Sequence, residues 1–224
     1  MNLLKDLPIF LCEKILDLLY PPNCVICGKN NEEYLCKKCE KVISKYVLNK
    51  TNKYLTKCFD RHIYIFKYDG IIRNLIIDYK FKEKSYLCEL FAKFLIKNEK
   101  ICRFLKTYDI IMPVPIHKKR KSQRGYNQST LIARKIIEKW NNLQLEETVL
   151  EKQKNTIEQS KLNKKERIEN AKNVYKLNNK EKIKNKDIIL IDDIYTTGST
   201  ANECAKVLKE NGAKKVIIIT IAKD

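Results

Sequence analysis

Apolar and polar segments follow one another most regularly in the last third of the chain. Residues 187–191 and 216–221 are short, largely apolar runs, and the segment between them is a predicted helix with Gly212 at its C-terminal cap. Nearly continuous apolar strands are typical of a sheet that is covered on both faces. A strand, a helix and a second strand within about 35 residues predict a βαβ unit with two parallel strands.

Upstream of this unit, short apolar runs and helically spaced apolar positions follow one another along the chain. They predict buried strands and amphipathic helices, respectively. The predicted strands cover residues 63–66 and 109–115, and the predicted helices cover residues 70–81, 85–97 and 128–140. The sequence therefore predicts an α/β fold with a mostly parallel central sheet flanked by helices.

Residues 151–186 interrupt this regular pattern. They are polar and rich in lysine and asparagine, with few apolar anchors. We predict a mobile segment, or a loop that closes over a site. Further along, Thr200 and Glu203 have the spacing of a capping box, which predicts that this pair caps the helix after the strand at 187–191.

The first 20 residues are apolar, and helical spacing of their apolar positions predicts a helix. In one interpretation its apolar face packs against the next module, and in the other it docks on a membrane surface or a partner.

No uninterrupted apolar run approaches the ~18 residues of a transmembrane helix, and no secretory signal is visible. We therefore expect no transmembrane segment and a cytoplasmic location, with peripheral membrane association left open.

Four cysteines near the N-terminus form two CxxC pairs: Cys24, Cys27, Cys36 and Cys39. Two such pairs supply the four thiolates of a closed, tetrahedral zinc site. A thioredoxin-like redox pair is the alternative, but two pairs this close argue against it. The sequence therefore predicts a small module over residues 1–45, in which Zn²⁺ serves structure or partner contact, and a larger domain over residues 46–224.

Two adjacent acids, Asp192 and Asp193, follow the apolar run at 187–191. Ligands of open α/β sheets bind at the carboxyl ends of strands, and the N–H groups at a helix N-terminus suit a phosphate. The carboxylates can accept hydrogen bonds from ribose hydroxyls or help to bind Mg²⁺. The segment predicts a sugar-phosphate site, and the missing GK[ST] sequence excludes a Walker-type loop. The candidate binding residues after the acids are Tyr195, Thr196, Thr197, Gly198, Ser199 and Thr200.

The net charge of the chain is +19, because 46 lysines and arginines stand against 27 acids. An excess of this size favours anionic partners such as nucleic acid or phosphorylated substrates. Alternatively, a compositional bias toward lysine, isoleucine and asparagine explains the excess of basic residues, and no anionic partner is then required. The basic run at 118–124 is compatible with binding a nucleic-acid backbone, so single-stranded DNA is one candidate partner.

The acidic turn resembles the phosphoribosyl-pyrophosphate (PRPP) signature of type I phosphoribosyltransferases. Other stretches resemble the ComF family, also called competence protein F or ComFC. These stretches are the Pro-Pro-x-Cys-x-x-Cys module, Tyr79-Lys80-Phe81, Pro113-Val114-Pro115 and the RGYNQ run at 124–128. The resemblance covers nearly the whole chain. It implies a type I phosphoribosyltransferase fold with a small N-terminal zinc-ribbon-like module.

The resemblance also implies roles for the residues at matching positions. Asp192 and Asp193 match the ribose-binding acids that position Mg-PRPP, and residues 196–200 match the phosphate loop. Residues 116–125 occupy the place of the pyrophosphate loop, and residues 153–170 occupy the place of a mobile hood. The substrate-binding residues expected in the pyrophosphate loop are Arg120, Arg124 and Gly125.

Two functions stay open on the sequence alone. In the first, the chain binds PRPP or a related ribose phosphate with Mg²⁺ and handles incoming single-stranded DNA during natural transformation. A competence helicase or another DNA-uptake protein is then a candidate partner. In the second, the chain is an active phosphoribosyltransferase that transfers phosphoribose from PRPP to an unidentified base or amine. A regulator built on the same fold would leave the zinc module unexplained.

Overall fold

A computed structural model describes residues 23–140, 142–156 and 163–224 of the chain. The helix predicted over residues 1–20 lies outside the described residues. The chain divides between Lys45 and Tyr46 into two compact units, which are described separately below. Within the described residues, no helix combines the length and the apolarity that crossing a membrane requires.

In the described part of the N-terminal unit, residues 23–45, a short turn precedes a helix. Its turn is closed by hydrogen bonds from the Cys24 N–H to the Lys29 carbonyl (2.8 Å) and from the Gly28 N–H to the Cys24 carbonyl (2.8 Å). Helix α1 then covers Lys37–Ser44 and buries one face, which carries Cys39 and Ile43. Cys39 is therefore buried within the N-terminal unit.

The larger unit is built on a six-stranded sheet with the strand order β1-β2-β8-β7-β3-β4. All neighbouring strands are parallel except the edge pair β1 and β2. The strands are β1 Val47–Lys53, β2 Arg61–Lys67, β3 Ile110–Pro113, β4 Gln144–Leu145, β7 Asp187–Tyr195 and β8 Lys215–Lys223. This topology confirms the predicted mostly parallel sheet.

Helices connect the strands of this sheet. Helix α2 begins and ends where the apolar spacing predicts, whereas the helix predicted over 128–140 ends earlier, at Ile137. The helices Glu99–Thr107, Lys118–Arg124 and Lys164–Ala171 were not predicted. Asn98 caps the first of them, because its side chain accepts a hydrogen bond from the Ile101 N–H at 3.0 Å. The helices are α2 Gly70–Phe81, α3 Leu87–Ile96, α4 Glu99–Thr107, α5 Lys118–Arg124, α6 Gln128–Ile137, α7 Lys164–Ala171 and α8 Ser199–Glu210.

The predicted βαβ unit is present as β7, α8 and β8. Residues 188–191 of β7 are fully buried, as a strand covered on both faces requires. The strand is longer than predicted, because β8 continues to pair with it as far as Tyr195 opposite Lys223. Asp192 and Asp193 therefore lie within the last part of the strand, and the turn begins only after Tyr195.

The prediction of a loop over residues 151–186 is wrong in part. This segment contains helix α7, and β5 Leu150–Lys152 pairs antiparallel with β6 Tyr175–Leu177. Asn163 and Glu166 form a capping box at the start of α7, in which each side chain accepts from the other residue's N–H. These local hydrogen bonds stabilise a helix that has few apolar residues.

The capping box predicted for Thr200 and Glu203 is also wrong. Helix α8 begins at Ser199 after Gly198, and no side chain caps it. The Glu203 carboxylate instead accepts from the N–H of Asn173, at 2.9 Å. This contact ties α8 to the segment between α7 and β6.

Candidate functional site

The two predicted acids lie together at the carboxyl end of β7. The Asp192 carboxylate accepts from the Ser129 hydroxyl at 3.2 Å and from the Asp193 N–H at 2.9 Å. The Asp193 carboxylate accepts from the Ile194 N–H at 2.7 Å and pairs with the Lys80 ammonium at 2.8 Å. Side chains from α2, α6 and β7 thus meet at one point.

The acid pair carries more negative charge than its surroundings neutralise. Burial raises the pKa of Asp192 to about 7, and the charge of Asp193 adds to this rise, while Lys80 opposes it. With a pKa near neutrality, the Asp192 carboxyl is partly protonated at pH 7, chiefly because it is buried. A divalent cation or hydroxyl donors from a ligand would satisfy the pair.

The turn after the strand depends on Gly198. Its backbone is left-handed, with φ of +72°, and a Cβ there would lie 2.1 Å from the Tyr195 hydroxyl. Tyr195 has little room to yield, since its buried ring stacks on the ring of His62 with centroids 4.0 Å apart. Glycine lets the backbone pass over the tyrosine and start α8 at once.

Hydroxyl groups follow the glycine in this turn. The hydroxyls of Thr197 and Ser199 are hydrogen-bonded at 2.8 Å, and Ser199 is buried while Thr196, Thr197 and Thr200 are partly exposed. The N-terminus of the 12-residue helix α8 begins at the same place. Positively polarised N–H groups and hydroxyl donors beside a pair of acids suit a molecule with a phosphate and free sugar hydroxyls.

The stretch predicted as a pyrophosphate loop is largely helical. Arg120 and Arg124 lie on α5, and Gly125 ends the helix with a φ of +82°. Arg120 donates to the Thr156 carbonyl at 3.2 Å, and Arg124 donates to the Gln128 side chain at 2.7 Å. The first contact links α5 to the segment predicted as a hood.

A cavity of about 200 Å³ lies beside these basic residues. Arg120 and Arg124 line it together with Lys80, whose ammonium contacts Asp193. The structure therefore brings both predicted arginines to the same region as Asp193. Gly125 follows the lining residues in the chain but does not line the cavity itself.

Three residues of this region had been given no role from the sequence. Lys80 belongs to the stretch that carries the family resemblance, and Ser129 directly follows the RGYNQ run. Lys152 gave no signal, since it lies in a polar segment rich in lysine. Burial, followed by the charge of Arg120, lowers the pKa of Lys152 to about 8, while Asp192 opposes the shift. Lys152 therefore adds a poorly solvated cation near Asp192.

The four predicted zinc ligands come together in the N-terminal unit. The sulfur atoms of Cys24, Cys27, Cys36 and Cys39 all lie within 4.8 Å of one another. The separation of the Cys27 and Cys36 sulfurs is 3.9 Å, which matches the distance between two thiolates bound to one tetrahedral zinc. This cluster is suited to structural zinc, because four thiolates leave no coordination position open.

Comparison with known proteins defines the class of this molecule. Residues 126–224 match the phosphoribosyl transferase domain, and residues 15–50 match the double zinc ribbon domain. The first match contains the acid pair and the Gly198 turn, and the second contains the four-cysteine cluster. Together with the sheet topology, these matches confirm a phosphoribosyltransferase fold with an N-terminal zinc ribbon.

Relatives extend over nearly the whole chain. Competence protein F of Haemophilus influenzae is 27% identical over 89% of this chain and 96% of its own length. Competence protein ComFC of Streptococcus pneumoniae is 27% identical over 92% of this chain and 95% of its own. DNA utilization protein YhgH of Escherichia coli is 26% identical over 92% of both. The chain is therefore similar, over nearly its whole length, to competence and DNA utilization proteins.

Solved structures with some similarity include two phosphoribosyltransferases. A purine phosphoribosyltransferase from Pyrococcus horikoshii is 12% identical over 62% of this chain and 84% of that chain, with a TM-score of 0.38. A hypoxanthine phosphoribosyltransferase from Staphylococcus aureus is 12% identical over 64% of each chain, with a TM-score of 0.36.

Proposed function

We propose that this chain binds PRPP, or a related ribose phosphate, together with Mg²⁺ at the carboxyl end of β7. The observation that carries the proposal is the placement of two adjacent acids directly before a left-handed glycine and a helix N-terminus. The acids accept hydrogen bonds from the ribose hydroxyls. The residues of the turn, from Thr196 to Thr200, bind the phosphate through N–H and hydroxyl donors.

The residues around the acid pair fit a magnesium ion. Carboxylate oxygens are its preferred protein ligands, and Asp192 and Asp193 supply them side by side. Burial and the neighbouring Asp193 raise the pKa of Asp192, and a metal ion bound with PRPP would favour the ionised form of this carboxyl. Magnesium would neutralise pyrophosphate oxygens, and Arg120 and Arg124 would assist from α5.

We also propose that the chain acts in DNA uptake, where it handles incoming single-stranded DNA. The names of the relatives, two competence proteins and a DNA utilization protein, support this role. The charge of α5 supports it further, because five of its seven residues are basic and none is acidic. Lys118, Lys119 and Lys121 are exposed there and can reach the phosphates of a strand.

The second candidate function is phosphoribosyl transfer to a base or an amine. The retained acid pair and its contact with Lys80 favour it, because they match the requirement for holding PRPP. In such a reaction the bond from the anomeric carbon to pyrophosphate breaks, and a bond to the acceptor nitrogen forms as its proton leaves to solvent. Release of pyrophosphate from PRPP in the presence of free bases or amines would distinguish turnover from binding alone.

Thermal unfolding with different ligands tests the phosphosugar proposal. Mg²⁺ with PRPP is expected to raise the melting temperature by several degrees, since a ligand that binds only the folded state stabilises it. Ribose phosphate alone should give a smaller rise, because it lacks the pyrophosphate that the arginines of α5 would contact. An unchanged melting temperature with saturating Mg-PRPP would contradict the proposal.

Titration with a labelled oligonucleotide tests the DNA proposal separately. Affinity for single-stranded DNA should fall about tenfold or more between about 50 and 200 mM salt, because phosphate neutralisation releases counterions. A triple variant that replaces Lys118, Lys119 and Lys121 with glutamine should flatten this dependence. If the variant and the unsubstituted protein respond alike to salt, α5 is not the binding surface.

A further inference from the structure

The aromatic ring of Phe81 is unusually exposed for a phenylalanine at the end of a helix. Its exposed fraction is 56%, and it lies at the last position of α2. The guanidinium of Arg124 lies over the ring, 5.1 Å from its centroid. An exposed apolar side chain on its own needs no explanation, but this ring also forms one wall of the cavity beside the acid pair.

The rest of the cavity wall is polar and charged. Lys80, Arg120 and Arg124 supply positive charge, and the side chains of Glu83 and Gln123 supply hydrogen-bonding groups. An amide both donates and accepts, and a carboxylate accepts. The aromatic face and the groups able to pair with the edge of a heterocycle suit a nucleobase. The nearby cations suit the phosphates of a nucleotide.

The position of this wall is fixed by buried hydrogen bonds. The Tyr126 hydroxyl donates to the Tyr79 carbonyl at 2.5 Å, and the Tyr79 hydroxyl donates to the Gln128 carbonyl at 2.8 Å. Arg124 donates to the Gln128 side chain at 2.7 Å. The ends of α2 and α5 are therefore joined through the start of α6, so that Phe81 and Arg124 keep their relative positions without a ligand.

We infer that Phe81 is a stacking platform for a nucleobase of single-stranded DNA. The strand follows the basic surface of α5, and one base enters the cavity against the phenyl ring, between Glu83 and Gln123. Single-stranded DNA would contact both the exposed lysines of α5 and the cavity, whereas a free base would occupy the cavity alone. The inference rests on the DNA half of the proposed function and is independent of PRPP binding.

Fluorescence anisotropy with two oligonucleotides of equal length tests this inference. One is oligo-dT, and the other is an abasic strand with the same number of phosphates. Stacking contributes a factor of about five to one hundred per base, so Phe81→Ala should weaken oligo-dT binding about tenfold. Binding of the abasic strand should not change, because it has no base to stack.

Three further variants serve as controls. Phe81→Leu keeps an apolar side chain without an aromatic face and should lose affinity nearly as Phe81→Ala does. Phe81→Trp should keep or improve it. Leu55→Ala removes an exposed apolar side chain that does not line the cavity and should leave oligo-dT binding unchanged. Unchanged melting temperatures would show that the variants are folded, as expected for exposed positions.

Several outcomes would overturn the inference. Equal binding of oligo-dT by the unsubstituted protein and by Phe81→Ala excludes stacking on this ring. If Phe81→Ala loses as much affinity for the abasic strand as for oligo-dT, Phe81 has some role other than stacking. If the unsubstituted protein binds no oligonucleotide at all, single-stranded DNA is not the ligand. Competition by thymidine monophosphate at the concentration of oligo-dT would assign the platform to a free nucleotide instead. The PRPP-induced rise in melting temperature should persist in Phe81→Ala, so failure of one proposal is distinguishable from failure of the other.

Discussion

The Lys80 ammonium and the Asp193 carboxylate form an ion pair of 2.8 Å that joins the end of α2 to the end of β7. Both side chains are mostly buried, with exposed fractions of 20% and 11%. Lys80 thus pairs with one of two adjacent acids, which repel each other when both are ionised. The pair accounts for the closeness of the basic cavity to the candidate phosphosugar site.

Replacement of Lys80 is expected to destabilise the fold in a pH-dependent manner. At pH 8 Asp192 is mostly ionised, and Lys80→Met should lower the free energy of unfolding by about 2 kcal/mol, because the mostly buried acid pair loses its ion-pair partner. At pH 5.5 Asp192 holds a proton in the folded state, so the loss should be smaller. Urea unfolding at both pH values measures the difference. Lys80→Arg, which keeps the charge, should recover most of the stability, and a loss that does not depend on pH would contradict this account.

Protonation of Asp192 should be visible in the stability of the whole protein. Its folded pKa of about 7 lies above the unfolded value of about 3.9. Between these values the folded state binds one more proton than the unfolded state, so this group's contribution to stability is greatest below about pH 4 and declines up to about pH 7.

Asp192→Asn removes this titration. Its free energy of unfolding relative to the unsubstituted protein should therefore increase by about 1–2 kcal/mol between about pH 5 and pH 7.5. Urea unfolding over this range gives the difference directly. Parallel pH profiles for the two proteins would show that Asp192 is ionised throughout.

Gly198→Ala is expected to disrupt the turn through a clash as well as through backbone strain. Gly125→Ala is the matched control, because its φ of +82° resembles the +72° of Gly198 but nothing lies within 4 Å of the added carbon. The control should lose about 1 kcal/mol, and Gly198→Ala should lose about 1–2 kcal/mol more, since Tyr195 must move away from His62. Chemical unfolding compares the two, and equal losses would contradict a tight fit of Gly198 over Tyr195.

The cysteine cluster predicts about one zinc ion per chain. Elemental analysis of protein purified without chelator measures the content, and replacing Cys36 and Cys39 with serine should abolish it. Replacing Cys58, which lies outside the cluster, is the control and should leave the content unchanged. Protein without zinc under these conditions would exclude the assignment.

Much of the sheet could be predicted because its strands are buried on both faces. The run at 188–191 is apolar throughout and the run at 216–221 contains only one polar residue, Thr220, a pattern typical of a covered strand. The short strands β5 and β6 span three residues each, which is too few to show an alternation of apolar and polar residues. Helix α7 has few apolar residues, yet the spacing of Asn163 and Glu166 could have identified its start.

The candidate site was predictable where its residues are adjacent in sequence, as Asp192, Asp193 and Gly198 are. Lys80 and Ser129 reach the acids from other elements, and nothing local in the sequence indicates which lysine among many lies near an acid. The raised pKa of Asp192 could not be predicted either, because it results from burial and from the charge of Asp193. Such properties depend on the packing of distant segments.

Titration calorimetry of Mg-PRPP binding tests the central claim most directly. The unsubstituted protein should bind one PRPP per chain with Mg²⁺ and much more weakly with chelator. The double variant Asp192→Asn with Asp193→Asn should show no binding. Asp187→Asn, which alters the acid at the opposite end of the same strand, should bind as the unsubstituted protein does. Equal binding by the double variant, or no binding by the unsubstituted protein, would contradict a phosphosugar site at the carboxyl end of β7.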